Sequence, residues 1–75
     1  MYVPKSAKTD FGILYEGDII LFPIGGNGVV FMIDEDENGE ARLHIMRTNE
    51  TGHKVIIYKA DDAIFSVIEV LEKLP

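Results

Sequence analysis

The sequence predicts a mainly β protein, a small five-stranded SH3-like barrel whose strands are joined by short turns. First, the chain contains several short runs rich in β-branched and aromatic residues, which suit a pleated and partly buried surface. Second, clusters of glycine, proline, asparagine and aspartate separate these runs, and such residues form tight turns. Third, 75 residues leave room for one small core, and a closing strand that covers an open sheet edge suits so short a chain.

The N-terminal segment, residues 1–10, is polar and carries Lys5 and Lys8. We expect it to form a flexible arm, because chain termini without an apolar anchor are usually loosely held. The single barrel domain is then expected to span residues 11–75, beginning with a short apolar segment at residues 11–15.

The centre of the prediction is a pair of apolar runs at residues 19–22 and 29–33. Pro23 ends the first run because it lacks a backbone donor. Four residues are predicted to form the turn between the runs through positive-φ conformations: Gly25, Gly26, Asn27 and Gly28.

Two further hairpins are predicted downstream. The acidic segment 34–40 contains Asn38-Gly39, a strong hairpin signal, and connects to a strand at residues 41–46. A polar turn at residues 48–53 leads to the β-branched run 55–58.

The C-terminal segment can be read in two ways. An acidic cap could start a helix with one apolar face, or residues 62–65 could form a single helical turn before a closing strand at residues 66–71. The preceding strands favour the second interpretation, because a final strand would cover the open edges of a small sheet.

Composition excludes several classes of function. The net charge is −6, from 13 acidic and 7 basic residues, so a basic face for direct DNA or RNA binding is disfavoured. The chain has no cysteine, which excludes disulfides and thiolate metal sites. No apolar run approaches the ~20 residues of a membrane helix, and the N-terminus lacks the apolar core of a signal peptide. We therefore expect a cytoplasmic protein that does not enter a membrane.

No residue pattern predicts catalysis, a cofactor or a metal centre. The two histidines and two serines lack the base and orienting partners that nucleophilic catalysis needs. Asp34, Asp36 and Asn38 copy the first half of a calcium loop, but the position of the closing bidentate glutamate holds Ile45. We interpret the acidic segment as a solvated hairpin tip, and we predict that the protein is not an enzyme.

One spacing resembles a known family. Gly17-Asp18, Ile20, Pro23, Gly26, Gly28, Val30 and Ile33 follow the pattern G-D-x-V-x-x-P-x-x-G-x-G-x-V-x-x-I. This resembles the N-terminal polymerase-interacting module of CarD/CdnL-type transcription regulators, which is shared with the transcription-repair coupling factor. Residues 59–63 and 66–68 are loosely similar to the end of that module, where a short turn precedes a closing strand.

The resemblance implies a function in transcription. Members of the family dock this barrel on the RNA polymerase β subunit, partly by lending a strand edge. Full-length CarD proteins add a C-terminal helical domain, with a tryptophan, that acts at promoter DNA; the 75 residues contain no tryptophan, so the resemblance concerns the barrel. The basic residues with which the family grips polymerase align near Asp36 and Ile57, and neither residue is basic.

The hairpin register predicts an apolar surface. If Asn38-Gly39 is a two-residue turn, Glu35 opposes Arg42 and both faces of the hairpin are largely apolar. That is more apolar surface than a small barrel buries alone. Alternatively, a bulge brings Ile33 toward Ile45 and reduces the excess, or the N-terminal arm covers these residues. The predicted outer face consists of Val29, Phe31, Ile33, His44 and Met46.

These observations predict a non-enzymatic protein-binding module that docks on a protein partner through the strand edge at 41–46 or 55–58. The partner implied by the resemblance is the RNA polymerase β subunit. The alternatives are a small homo-oligomeric structural or mobile-element protein that reuses the barrel and, third, a toxin of the MazF type, for which the chain looks too short. A homodimer is also considered. The predicted partner-binding residues are Arg42, His44, Arg47, Lys54, Tyr58, Phe31 and Met46.

Overall fold

The computed structural model describes residues 3–23, 26–66 and 68–72. Within these residues the protein is mainly β, as predicted, with a two-stranded hairpin and a five-stranded antiparallel sheet. The elements are β1 (Ser6–Thr9), β2 (Gly12–Tyr15), β3 (Ile19–Leu21), β4 (Asn27–Glu35), β5 (Ala41–Asn49), β6 (Gly52–Lys59), a 3-10 turn (Ala63–Ser66) and β7 (Glu69–Glu72).

The five-stranded sheet has the strand order β6-β5-β4-β3-β7. Its first four strands form a meander, and β7 returns to pair with β3 in antiparallel orientation. The interpretation of the C-terminal segment as a helical turn followed by a closing strand is therefore confirmed, although position 67 lies outside the described residues. No pairing joins β6 to β7 in the described chain, so these two strands form the open edges of the five-stranded sheet.

The core lies on one face of this sheet, which we call the inner face. The β1–β2 hairpin and the 3-10 turn cover it, and Phe65 enters it from the turn. The Phe65 ring meets the Tyr58 ring edge to face, with 5.7 Å between centroids. The buried apolar residues are Ala7, Leu14, Ile20, Phe22, Val30, Ile33, Leu43, Ile45, Phe65 and Ile68.

The N-terminal segment differs from the predicted flexible arm. Ser6–Thr9 forms β1, which pairs with β2 and buries Ala7 and Thr9. The carboxylate of Glu16 accepts hydrogen bonds from the backbone N–H of Lys5 at 3.0 Å and of Ile33 at 2.8 Å. This buried carboxylate links the N-terminal segment to the sheet, an interaction that local composition does not reveal. Residues 1 and 2 of the predicted arm lie outside the described residues.

The β4–β5 hairpin corrects the predicted register. The backbone N–H of Asp36 donates to the carbonyl of Glu40 at 2.9 Å, and Gly39 has φ +80°. This bond leaves three residues, 37–39, in the loop. The last of them is a glycine, at the positive-φ position that such loops favour. Glu35 consequently pairs with Ala41, where the two-residue turn predicted Arg42.

A register shift in β4 moves one residue from the predicted outer face to the core. The pairing jumps between Val30 and Met32, so that Phe31 forms a bulge. A bulge adds a residue to one strand and reverses the alternation of side chains beyond it. Ile33 is therefore buried, and Met32 takes its place on the outer face.

Asn27 and Gly28 do not belong to the predicted turn. Both lie in β4 without a positive φ, and Gly28 is buried, whereas Gly26 has φ +80°. A Cβ at Gly28 would lie 2.7 Å from Ile45 Cγ2 and 2.8 Å from Phe22 Cε2. Glycine is needed there because two core side chains pack directly on the backbone. Gly25 lies outside the described residues.

Candidate protein-binding face

The face of β4, β5 and β6 that points away from the core carries two adjacent apolar rows. Val29, Met46 and Val55 lie opposite one another in one row. Met32, His44 and Ile57 form the next row, with Phe31 in the bulge beside them. Directly opposed side chains in an antiparallel sheet lie close enough to contact one another. We define the outer patch as Val29, Phe31, Met32, Met46, Val55 and Ile57.

The outer patch is large for so small a protein. Its six side chains are between 38% and 52% exposed. These fractions correspond to about 500 Å² of surface, near the top of the ~300–600 Å² range for the largest apolar patch of a typical monomer. Apolar patches of this size with a polar border usually mark interaction sites.

Polar rows border the outer patch at both ends of the strands. At one end Asn27, Thr48 and His53 face one another, and the Thr48 hydroxyl lies 2.9 Å from His53 Nδ1. The row at the other end is charged and consists of Asp34, Arg42 and Lys59. The acidic hairpin tip continues beyond this charged row, so the negative charge is concentrated at one end of the face.

Asp34 organises the charged end. Its carboxylate accepts two hydrogen bonds from the Arg42 guanidinium, at 2.9 and 2.7 Å, and lies 3.0 Å from His44 Nε2. The hydrogen bonds with Arg42, and to a smaller extent the one with His44, lower the pKa of Asp34 from 3.8 to about 2. The His44 ring is buried and meets Phe31 edge to face, with 6.1 Å between centroids. The cluster therefore fixes His44 beneath the outer patch.

The lowered pKa of Asp34 predicts a pH dependence of stability. Because the folded protein holds this carboxylate ionised more strongly than the unfolded chain does, the contribution is complete above pH ~4 and is lost as the pH falls towards ~2. In urea titrations from pH 6 to pH 2, Asp34→Asn should lose less stability below pH 4 than the wild type. Parallel pH profiles for the two proteins would contradict this role of the Asp34–Arg42 pair.

Arg47 and Tyr58, both predicted to bind a partner, pack on the inner side of the sheet instead. The Arg47 guanidinium lies over the Phe22 ring, 3.8 Å from its centroid, and donates to the Tyr58 hydroxyl at 3.0 Å. Tyr58 stacks on Phe22 with 5.7 Å between centroids. Lys54 is exposed opposite Arg47 on the same side. The structure thus separates these three residues from Phe31, His44 and Met46.

Of the two predicted docking strands, only one lies at a sheet edge. β5 pairs with β4 on one side and β6 on the other, so the prediction of an edge at 41–46 is wrong. The second side of β6 is not paired with any described strand. The backbone N–H of Ala60 donates to the carbonyl of Ala41, which fixes the phase of the β5–β6 ladder. By the alternation of an antiparallel ladder, the backbone groups of Val55 and Ile57 point towards the open side.

Four members of the outer patch are absent from the predicted partner-binding residues, although Val29 belongs to the predicted outer face: Val29, Met32, Val55 and Ile57. Val55 and Ile57 lie in the continuous apolar run 55–58, which does not show which of its side chains face outward. The orientation of Met32 depends on the bulge.

No protein-family model, curated protein or solved structure matches the chain. Within the described residues, no group of three or more histidine, aspartate or glutamate side chains is placed to hold a metal ion. Among the same residues, no helix has the length and apolar character needed to cross a bilayer.

Proposed function

We propose that the protein is a non-enzymatic protein-binding module whose partner adds a strand to the open edge of β6. The observation that carries this proposal is the open edge of β6, with which no described strand pairs. β6 spans Gly52–Lys59 and is exposed along most of its length. An edge of eight residues offers a partner backbone N–H and C=O groups at alternate positions, and such rows are templates for strand addition.

We further propose that the partner belongs to the transcription machinery, with the RNA polymerase β subunit as the first candidate. This assignment rests on the glycine and proline spacing of residues 17–33, which resembles the CarD-type module. The exposed Lys54 gives the β6 edge a basic side chain in an otherwise acidic protein. Electrostatic contacts of this kind contribute more to the choice of partner and to the association rate than to affinity.

Proline and alanine at one position give a matched test of strand addition. Val55→Pro removes a backbone N–H that points to the open side, while the hydrogen bonds of the β5–β6 ladder stay in place. Val55→Ala shortens the same side chain and keeps that N–H. With immobilised bacterial core RNA polymerase, we expect the proline variant to bind roughly tenfold or more weakly than wild type, against a loss of about twofold for alanine. Circular dichroism should show that both variants fold.

Equal binding by Val55→Pro and wild type would show that this edge is not the docking surface. If the wild-type protein does not bind the polymerase, the partner assignment is wrong. The strand-addition proposal would then be tested by the same pair of variants against proteins captured from bacterial lysate.

A further inference from the structure

We propose that the outer patch is a two-fold interface between two copies of this chain, packed face to face with their strands in opposite directions. This surface is separate from the β6 edge. The backbone edge faces sideways, in the plane of the sheet, whereas the outer patch faces away from the core. A dimer formed through the patch would therefore leave both β6 edges open to a partner strand.

The composition of the face is that of an interface. Six apolar side chains occupy the centre, and polar rows border it at both ends. Stable interfaces have this apolar centre and polar rim. The bordering rows add partly and fully exposed polar side chains to the outer patch, so the face reaches the ~800 Å² per partner of a standard interface. Two such sheets can pack directly, as the sheets of a β-sandwich do.

The distribution of charge favours a second copy as the occupant. No charged side chain belongs to the outer patch, so its centre holds nothing that would repel an identical surface. His44, the one titratable group beneath it, has its Nε2 atom directed to Asp34. The patch therefore carries no charge that would repel an identical patch, and none that would select a partner of different composition.

Charge also fixes the orientation of the two copies. Each chain has a net charge of −6, and five acidic residues lie between Asp34 and Glu40, beyond one end of the patch. A two-fold axis that crosses the strands places the two acidic tips at opposite ends of the dimer. The charged row of one copy then lies over the uncharged row of the other. An axis along the strands would instead bring the two acidic tips together, which like-charge repulsion disfavours.

The oligomeric state tests the proposal with a matched pair of variants. Phe31 in the outer patch is 46% exposed, and Phe11 at the β1–β2 turn is 40% exposed. By gel filtration with light scattering, we expect the wild type to form a dimer of the 8.4 kDa chain. Phe31→Asp should raise the dimer dissociation constant on the order of 100-fold, and Phe11→Asp should leave it unchanged. If circular dichroism shows that Phe31→Asp is unfolded, Ile57→Asp is measured in its place.

Single cysteines test the orientation, because the natural chain has none. With the axis across the strands, His53 of one copy lies near Lys59 of the other. A mixture of His53→Cys and Lys59→Cys proteins should therefore cross-link with a short bismaleimide, and a mixture of His53→Cys and Asn27→Cys should not. The reverse pattern would overturn the orientation. A monomeric wild type at ~100 μM, or a dimer unaffected by both Phe31→Asp and Ile57→Asp, would overturn the interface.

Discussion

Phe65→Ala is expected to remove most of the free energy of unfolding of the protein. The Phe65 side chain is fully buried, and the 3-10 turn places it against Tyr58 at the end of the core. Truncating a buried phenylalanine costs about 3–5 kcal/mol, because the transfer energy is lost and a cavity remains. A domain of this size has a total stability near the lower end of the usual ~5–15 kcal/mol. The variant is therefore left with only about 0–2 kcal/mol of stability.

Urea denaturation followed by circular dichroism measures this effect. Phe11→Ala is the matched control, since this exposed phenylalanine lies outside the core and its truncation should change stability by less than ~0.5 kcal/mol. If Phe65→Ala unfolded within ~1 kcal/mol of the wild type, the 3-10 turn would not be part of the cooperative core.

The second large effect is expected at Glu16, whose carboxylate joins the N-terminal segment to β4. Glu16→Ala removes the acceptor of two backbone N–H groups, and that of Ile33 is buried. Hydrogen bonds to a charged group contribute about 1.5–3 kcal/mol, and a buried donor left without an acceptor adds a desolvation penalty. We expect a loss of about 3 kcal/mol in the free energy of unfolding.

Glu16→Gln separates the two bonds. Its amide oxygen can still accept from Ile33, while its NH₂ group faces the Lys5 donor, so roughly half of the loss should remain. Amide exchange by NMR provides the site-specific reading: the Ile33 N–H should exchange much faster in Glu16→Ala and only moderately faster in Glu16→Gln. Unchanged exchange at Ile33 in both variants would contradict the proposed link.

Local sequence was sufficient to predict the sheet because its strands and turns are chemically distinct. The closing strand could also be anticipated, since a meander leaves an open edge at β3. β1 could not, because its residues have low strand propensity. Its strand conformation depends on pairing with β2 and on the distant carboxylate of Glu16. Tertiary contacts of this kind override local preference.

The candidate site was harder to predict, because two one-residue features decide which side chains are outside. Asn38-Gly39 marks the hairpin correctly, but the motif alone does not distinguish a two-residue from a three-residue loop. The apolar run around Phe31 also does not show where the alternation of inward and outward side chains breaks. Every residue of this run is apolar and could face either side of the sheet. Phe31, His44 and Met46 were identified correctly. Ile33 faces outward only in the register without a bulge, and the structure has the alternative register with the bulge.

The bulge at Phe31 has a consequence for how this protein can change over generations. In a regular strand, removing one residue moves every side chain from the deletion to the end of the pairing to the opposite face of the sheet. Core residues then become exposed. At the bulge, loss of a single residue would instead restore regular pairing, with Val30 and Ile33 still directed inward. β4 can thus change its length at this point and keep its core, while the exposed apolar surface changes. An insertion or deletion at this point would therefore change which surfaces the outer face can bind and leave the fold intact.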